Sequence, residues 1–190
     1  MPGTVRPVAD ERDALLAFLD QQRDLLRVQA HGLSDEQART ASTAGALTIG
    51  GLVKHLARTE RWWIDVALQR PRPAVSTDYE AYMDGFTLRG DETLAGVLQE
   101  YAQVAAETRA ALADVDLGRP VPVPRDAPWL PQDLEAWSVR WVLLHLIEET
   151  ARHLGHADII RESLDGATAI PLLAAVEGWP ETPWVKPWRP

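Results

Sequence analysis

The 190-residue chain contains no cysteine. That absence excludes disulfides, zinc–thiolate sites and a catalytic thiol of its own. Any sulfur chemistry must therefore arrive with a ligand. Basic residues are scarce beside acidic ones, 19 Lys and Arg against 28 Asp and Glu, for a net charge of −9. This balance argues against general affinity for nucleic acid or an anionic membrane surface, and no Lys/Arg cluster overrides it. No stretch approaches the roughly 18 apolar residues of a membrane span. The start, Met1-Pro-Gly-Thr-Val-Arg-Pro7, has no apolar signal core, so the expected location is the cytoplasm. Internal repeats and low-complexity tracts are lacking too.

What is present suits one helical domain over residues 1–190. With 46% apolar residues, a chain of this length can bury a sizeable core. A first helix is predicted from about Ala9 to Ala30, where Leu15, Phe18, Leu19, Leu25 and Leu26 recur at helical spacing before a stop at His31-Gly32. Ser34 and Gln37 have the spacing of a capping box. Thr48 caps a second helix to about Leu68, with Ile49, Leu52, Val53 and Leu56 on one face and His55 at its edge. Arg70 to Gly90 reads as a long connection with a turn of helix near Tyr79 to Met83. Asp91 opens a third helix, whose stripe runs from Leu94 through Tyr101 to Leu112. Five prolines between Val115 and Glu135 keep that stretch extended and turn-rich. A fourth helix is expected from about Glu135 to Leu164, then a short one from Ala169 to Glu177. The tail, 166–190, carries Trp179, Trp184 and Trp188 among prolines and reads as a strap over a bundle face. Four amphipathic segments without convincing strands predict an all-α four-helix bundle with long crossover loops.

The fourth helix holds the chemistry. Along its apolar stripe, where Leu or Ile would be expected, stand Glu149, His153 and His156. Charged and titratable groups are rarely buried without a partner, and a metal ion is one candidate. Residues four apart share a helix face, so His145 with Glu149, or Glu149 with His153, could act together, as could His153 with His156. His145 and His153 are about 12 Å apart along the axis and cannot bind the same ion. One helix supplies two ligands at most, and a third must come from elsewhere. His145 reads as a packed or supporting residue. Trp62, Trp63, Trp137 and Trp141 read mainly as core, with some near His55 able to wall a pocket.

Two stretches, Ile49-Gly-Gly-Leu-Val-Lys-His55-Leu-Ala-Arg-Thr-Glu-Arg-Trp-Trp63 and Trp141-Val-Leu-Leu-His-Leu-Ile-Glu-Glu-Thr-Ala-Arg-His153-Leu-Gly-His-Ala-Asp-Ile-Ile-Arg-Glu162, resemble the DinB-like superfamily. The similarity is closer to the actinobacterial branch that includes mycothiol-dependent maleylpyruvate isomerase. It implies a four-helix bundle with a divalent metal held by His55, Glu149 and His153, Zn²⁺ first and Ni²⁺ or Fe²⁺ as alternatives. His156 falls where relatives often carry Gln and, with Arg152, is assigned to cofactor contact. The isomerase's C-terminal domain has no counterpart here, which favours thiol transfer in general over the maleylpyruvate reaction. The implied activity is metal-dependent transfer of a mycothiol-like thiol to or through a small electrophile, the partners being that thiol and that electrophile. A non-catalytic metal- or ligand-binding stress protein of the same fold is the alternative. A homodimer is expected because bundles of this family often pair.

Overall fold

Four long helices form where the apolar periodicity is strongest: α1 (Glu11–Gln29), α3 (Ile49–Leu68), α5 (Leu94–Ala111) and α6 (Val139–Asp165). They belong to a computed structural model that describes residues 3–189. Three short helices accompany them, α2 (Asp35–Ala38), α4 (Tyr79–Asp84) and α7 (Ala169–Glu177). Each long helix begins on a side-chain oxygen that accepts a backbone N–H: Asp10, Thr48, Thr93 and Ser138 cap α1, α3, α5 and α6. The Ser34–Gln37 capping box is present in both directions.

Some boundaries and burial differ from expectation. The third long helix starts at Leu94 because Thr93, and not Asp91, provides the cap. α6 starts at Val139 because Ala136–Ser138 (β2) pairs antiparallel with Pro120–Pro122 (β1), placing Val121 opposite Trp137. Strands of three residues are too short to show a period of two in the sequence. Phe18 is half exposed, since the buried face of α1 runs through Leu15, Leu16, Leu19 and Leu26.

The helix order around the bundle follows from contacts. α1 packs on α6 and α5, and α3 packs on α5 and α6, so α1 and α3 lie on one diagonal. Directions follow from which ends meet. Arg140 pairs with Glu11, and Arg161 reaches the backbone of Gln29 and His31, so α1 and α6 run parallel. Trp63 meets Trp137 while His55 meets Glu149, so α3 and α6 run antiparallel. α3 and α5 are parallel neighbours, and the connection between them must return along the bundle. That return is held by buried Lys54, whose Nζ donates to Thr87 O and Glu92 Oε2, both at 2.8 Å. It also presses on α3: a Cβ at Gly51 would lie 1.9 Å from the Phe86 carbonyl oxygen. Only glycine admits the chain so closely.

Two apolar clusters fill the ends of the bundle, one around Leu26, Leu56 and Ile160, the other around Leu19, Ile64 and Leu146. A polar layer lies between them. Arg23 grips Glu60 through Nε (2.9 Å) and Nη2 (2.5 Å), and Thr108 Oγ1 donates to the same carboxylate at 2.6 Å. Both charged side chains are buried. A third cluster joins Val28 to Leu172 and Leu173 of α7, with Trp179 and Trp188 packed on it. Trp188 lies 4.8 Å over the guanidinium of fully buried Arg161. Trp184, in contrast, stands in solvent. Among the described residues, no helix is long and apolar enough to cross a membrane.

Removing one partner of a buried ion pair leaves an uncompensated charge, at a cost of about 3–5 kcal/mol. Arg23→Met should show that loss in urea unfolding, and Arg23→Met with Glu60→Leu should regain much of it. A single variant as stable as wild type would contradict the buried pairing. In the same assay, Gly51→Ala should destabilise by about 1–3 kcal/mol through overpacking. Exposed Gly155, with nothing within 4 Å of its would-be Cβ, should instead gain about 0.5–1 kcal/mol on change to Ala.

Candidate metal centre

One row of residues along β2 and α6 builds the site. Residues four apart stack along a helix face, and Trp137, Trp141, His145, Glu149 and His153 follow at that spacing. The first three rings form a column. Trp137 and Trp141 stack at 4.5 Å and 11°, and Trp141 and His145 at 5.1 Å and 12°. Trp63 of α3 meets all three edge-on, at 5.5, 5.4 and 4.8 Å. The ribbon sets the start of this column, because pairing with β1 fixes Trp137 just ahead of the helix.

The end of the row faces His55 of α3. Glu149 Oε1 lies 3.2 Å from His153 Nε2 and 3.3 Å from His55 Nε2. One ligand atom from each of the three side chains lies within 4.8 Å of the others. The His55 ring is stacked on Phe86 at 3.8 Å and meets His153 edge-on at 4.8 Å. Phe86 reaches it because the glycines at 50 and 51 let the returning connection come close.

The electrostatics suit a cation. Hydrogen bonds from His153 and then His55 hold the Glu149 carboxyl well below the usual carboxylate range, against the opposing effect of burial. Burial pushes the His55 imidazole down, partly offset by its bond to Glu149. An ionised carboxylate beside the lowered His55 imidazole favours the protonation state that ligates metal. Two imidazoles and one carboxylate are a donor set used by Zn²⁺ and by non-haem Fe²⁺, with coordination positions left for water or substrate.

A cleft of about 690 Å³ opens beside His55 and Glu149. The aromatic column and Trp62 form its inner walls, and Tyr82, Trp129 and Leu130 of the connections form its outer rim. Arg58 is the cation at its edge, 3.4 Å from Asp84.

The structure brings His55, Glu149 and His153 together. His145 joins the aromatic column, with Nδ1 3.6 Å from Glu148. His156 is half-buried one turn past His153, and Arg152 is exposed; neither is among the cleft-lining residues. Phe86, Tyr82 and Trp129 escape sequence reasoning, because they sit in connections without periodicity. The i, i+4 row of Trp, Trp, His, Glu and His was visible, although its tryptophans read mainly as core.

Comparison with known proteins places the chain in a family and identifies relatives of its fold. The profile of the family described as mycothiol-S-transferase matches residues 14–166. No curated protein sequence matches the chain. A conserved protein from Enterococcus faecalis is similar in structure, with TM-score 0.66 and 13% identity over 84% of this chain and 100% of that one. YfiT from Bacillus subtilis, described as a probable metal-dependent hydrolase with an unusual four-helix bundle topology, is similar at TM-score 0.61. Its identity is 16%, over 86% of this chain and 94% of that one. At these identities the likeness shows the fold.

The two shifted groups act on stability in the same direction. A group whose folded pKa is depressed binds fewer protons folded than unfolded, so stability is lost as pH falls. For His55 the loss begins below about 6.5 and runs to its lower folded value; for Glu149 it begins below about 4.3. Chelator-treated protein should therefore lose thermal stability between pH 7 and 5, and His55→Phe should flatten that segment. An unchanged slope in the variant would remove His55 as its source.

Proposed function

The chain belongs to the mycothiol-S-transferase family, and on that footing we propose that it is a metal-dependent enzyme joining a low-molecular-weight thiol to a small electrophile. The observation that carries this reading is the His55–Glu149–His153 cluster at the head of an apolar cleft in a chain without cysteine. With no sulfur nucleophile of its own, the protein must take one from a cosubstrate, a mycothiol-like thiol by family.

His55, Glu149 and His153 would hold one divalent ion, Zn²⁺ as first choice with Ni²⁺ or Fe²⁺ as alternatives. Such an ion lowers the pKa of a coordinated thiol, so that a group of solution pKa near 8.5 is largely thiolate at neutral pH. The protein's own residues do the rest. Phe86 and His153 fix the plane of His55, and burial keeps that imidazole neutral and able to ligate. The tryptophan walls exclude water from the approach to the cluster and orient the electrophile. Arg152 and His156 lie off the apolar cleft, on α6 beside the cluster, and are assigned to the polar part of the thiol. The cleft is thereby left to the electrophile.

Elemental analysis should find one divalent ion per chain in wild type, none in His153→Ala, and close to the wild-type amount in His145→Ala. Undiminished metal in His153→Ala would sink the assigned site. Thiol-transfer assays with metallated protein should show activity that falls with metal in Glu149→Ala. In Glu149→His metal should be kept, while a less anionic ligand set shifts the pH profile of transfer. Stoichiometric metal with no transfer to any electrophile would leave ligand sequestration as the function.

A further inference from the structure

Resting on the thiol-transfer reading above, we infer that the electrophile is a flat, uncharged aromatic compound, held against the Trp137–Trp141–His145 column with its reactive carbon toward Glu149. The column is built in advance. Neighbouring planes agree within 12°, and buried Trp63 braces all three rings edge-on. A flat ring laid across it repeats the edge-to-face contact that Trp63 already makes. The outer rim carries two large aromatics left in solvent, Trp129 at 60% and Tyr82 at 58% exposure, both facing the same cleft. Exposed apolar surface gathered around a concavity marks a binding site, and here it supplies a second wall for a planar guest. The volume, about 690 Å³, falls within the range of small-molecule pockets.

Charge settles the rest of the class. Arg58 is the sole Lys or Arg among the cleft-lining residues, and Asp84 already faces it. An anionic substrate finds no free cation there, and a cationic one would be stacked without a carboxylate other than Glu149. For a halogenated ring the step balances simply. The thiolate sulfur bonds to the activated ring carbon, the halide leaves with its bonding pair, and the thiol proton passes to solvent. Nothing is oxidised or reduced.

The test uses the metallated full-length protein and two readouts. Calorimetry with 2,4-dinitroaniline, flat and without a leaving group, reads binding alone; N-cyclohexylacetamide is the non-planar control. Initial rates with 1-chloro-2,4-dinitrobenzene and with iodoacetamide read the ratio of kcat/KM for a planar over an aliphatic electrophile. Dinitroaniline should bind and the cyclohexyl compound should not. Trp129→Ala, at an exposed position compatible with an intact fold, and Trp141→Leu should each weaken dinitroaniline binding and lower the ratio about tenfold, the effect of about 1.4 kcal/mol. Continued transfer to iodoacetamide with no preference for dinitroaniline, or with an unmoved ratio in both variants, would overturn the aromatic class and leave thiol transfer standing. Dinitroaniline binding that both variants weaken, in a protein that transfers thiol to neither electrophile, would support the aromatic site and overturn the transferase reading.

Discussion

The bidentate pair of Arg23 and Glu60 crosses the diagonal of the bundle, between two helices that otherwise touch little. Burying two charges costs several kcal/mol per ion unless each is met, so this pair tolerates few arrangements. A slide of α1 or α3 by one turn would strand a guanidinium or a carboxylate among leucines. Thr108 brings α5 into the same layer by donating to Glu60. Tyr101 lies in it as well, its hydroxyl pKa pushed up by burial and by the nearby carboxylate. The apolar clusters on either side supply most of the burial, yet apolar contacts alone are permissive about register. The ion pair is not.

That register has a consequence five residues away. His55 precedes Glu60 by little more than a turn of α3, so the alignment that satisfies Glu60 also fixes the height of His55 against α6. Glu149 and His153 meet it there. The close approach at Gly51 adds the remaining constraint, since it admits the connection that brings Phe86 onto the His55 ring. The three side chains are thus held in register by packing and charge, apart from the side that opens on the cleft.

Along α6 a single i, i+4 row divides its labour. Its first part is aromatic, its last part polar and titratable, and the row from Trp137 to Glu149 lines one cleft. The ribbon, though only three residues per strand, determines where the row begins. Such a layout puts an apolar surface next to a charged cluster, which solvent alone would not favour.

Much of this was legible in the residues. Periodicity within one segment depends only on local geometry, and so it showed the four long helices, the Thr48 cap of α3 and the shared face of Glu149 and His153. The lack of cysteine likewise settled that any sulfur nucleophile comes from outside. The family resemblance added His55, which spacing alone placed at a helix edge without a partner. What the tertiary structure decided is everything that joins segments distant in sequence. That includes the diagonal placement of α1 and α3, the pairing of Arg23 with Glu60, the three-residue ribbon, and the arrival of Phe86, Tyr82 and Trp129 from connections with no periodic signal. These depend on which side chains can share a buried layer without leaving a charge or a backbone group unmet, a condition that no single helix face contains.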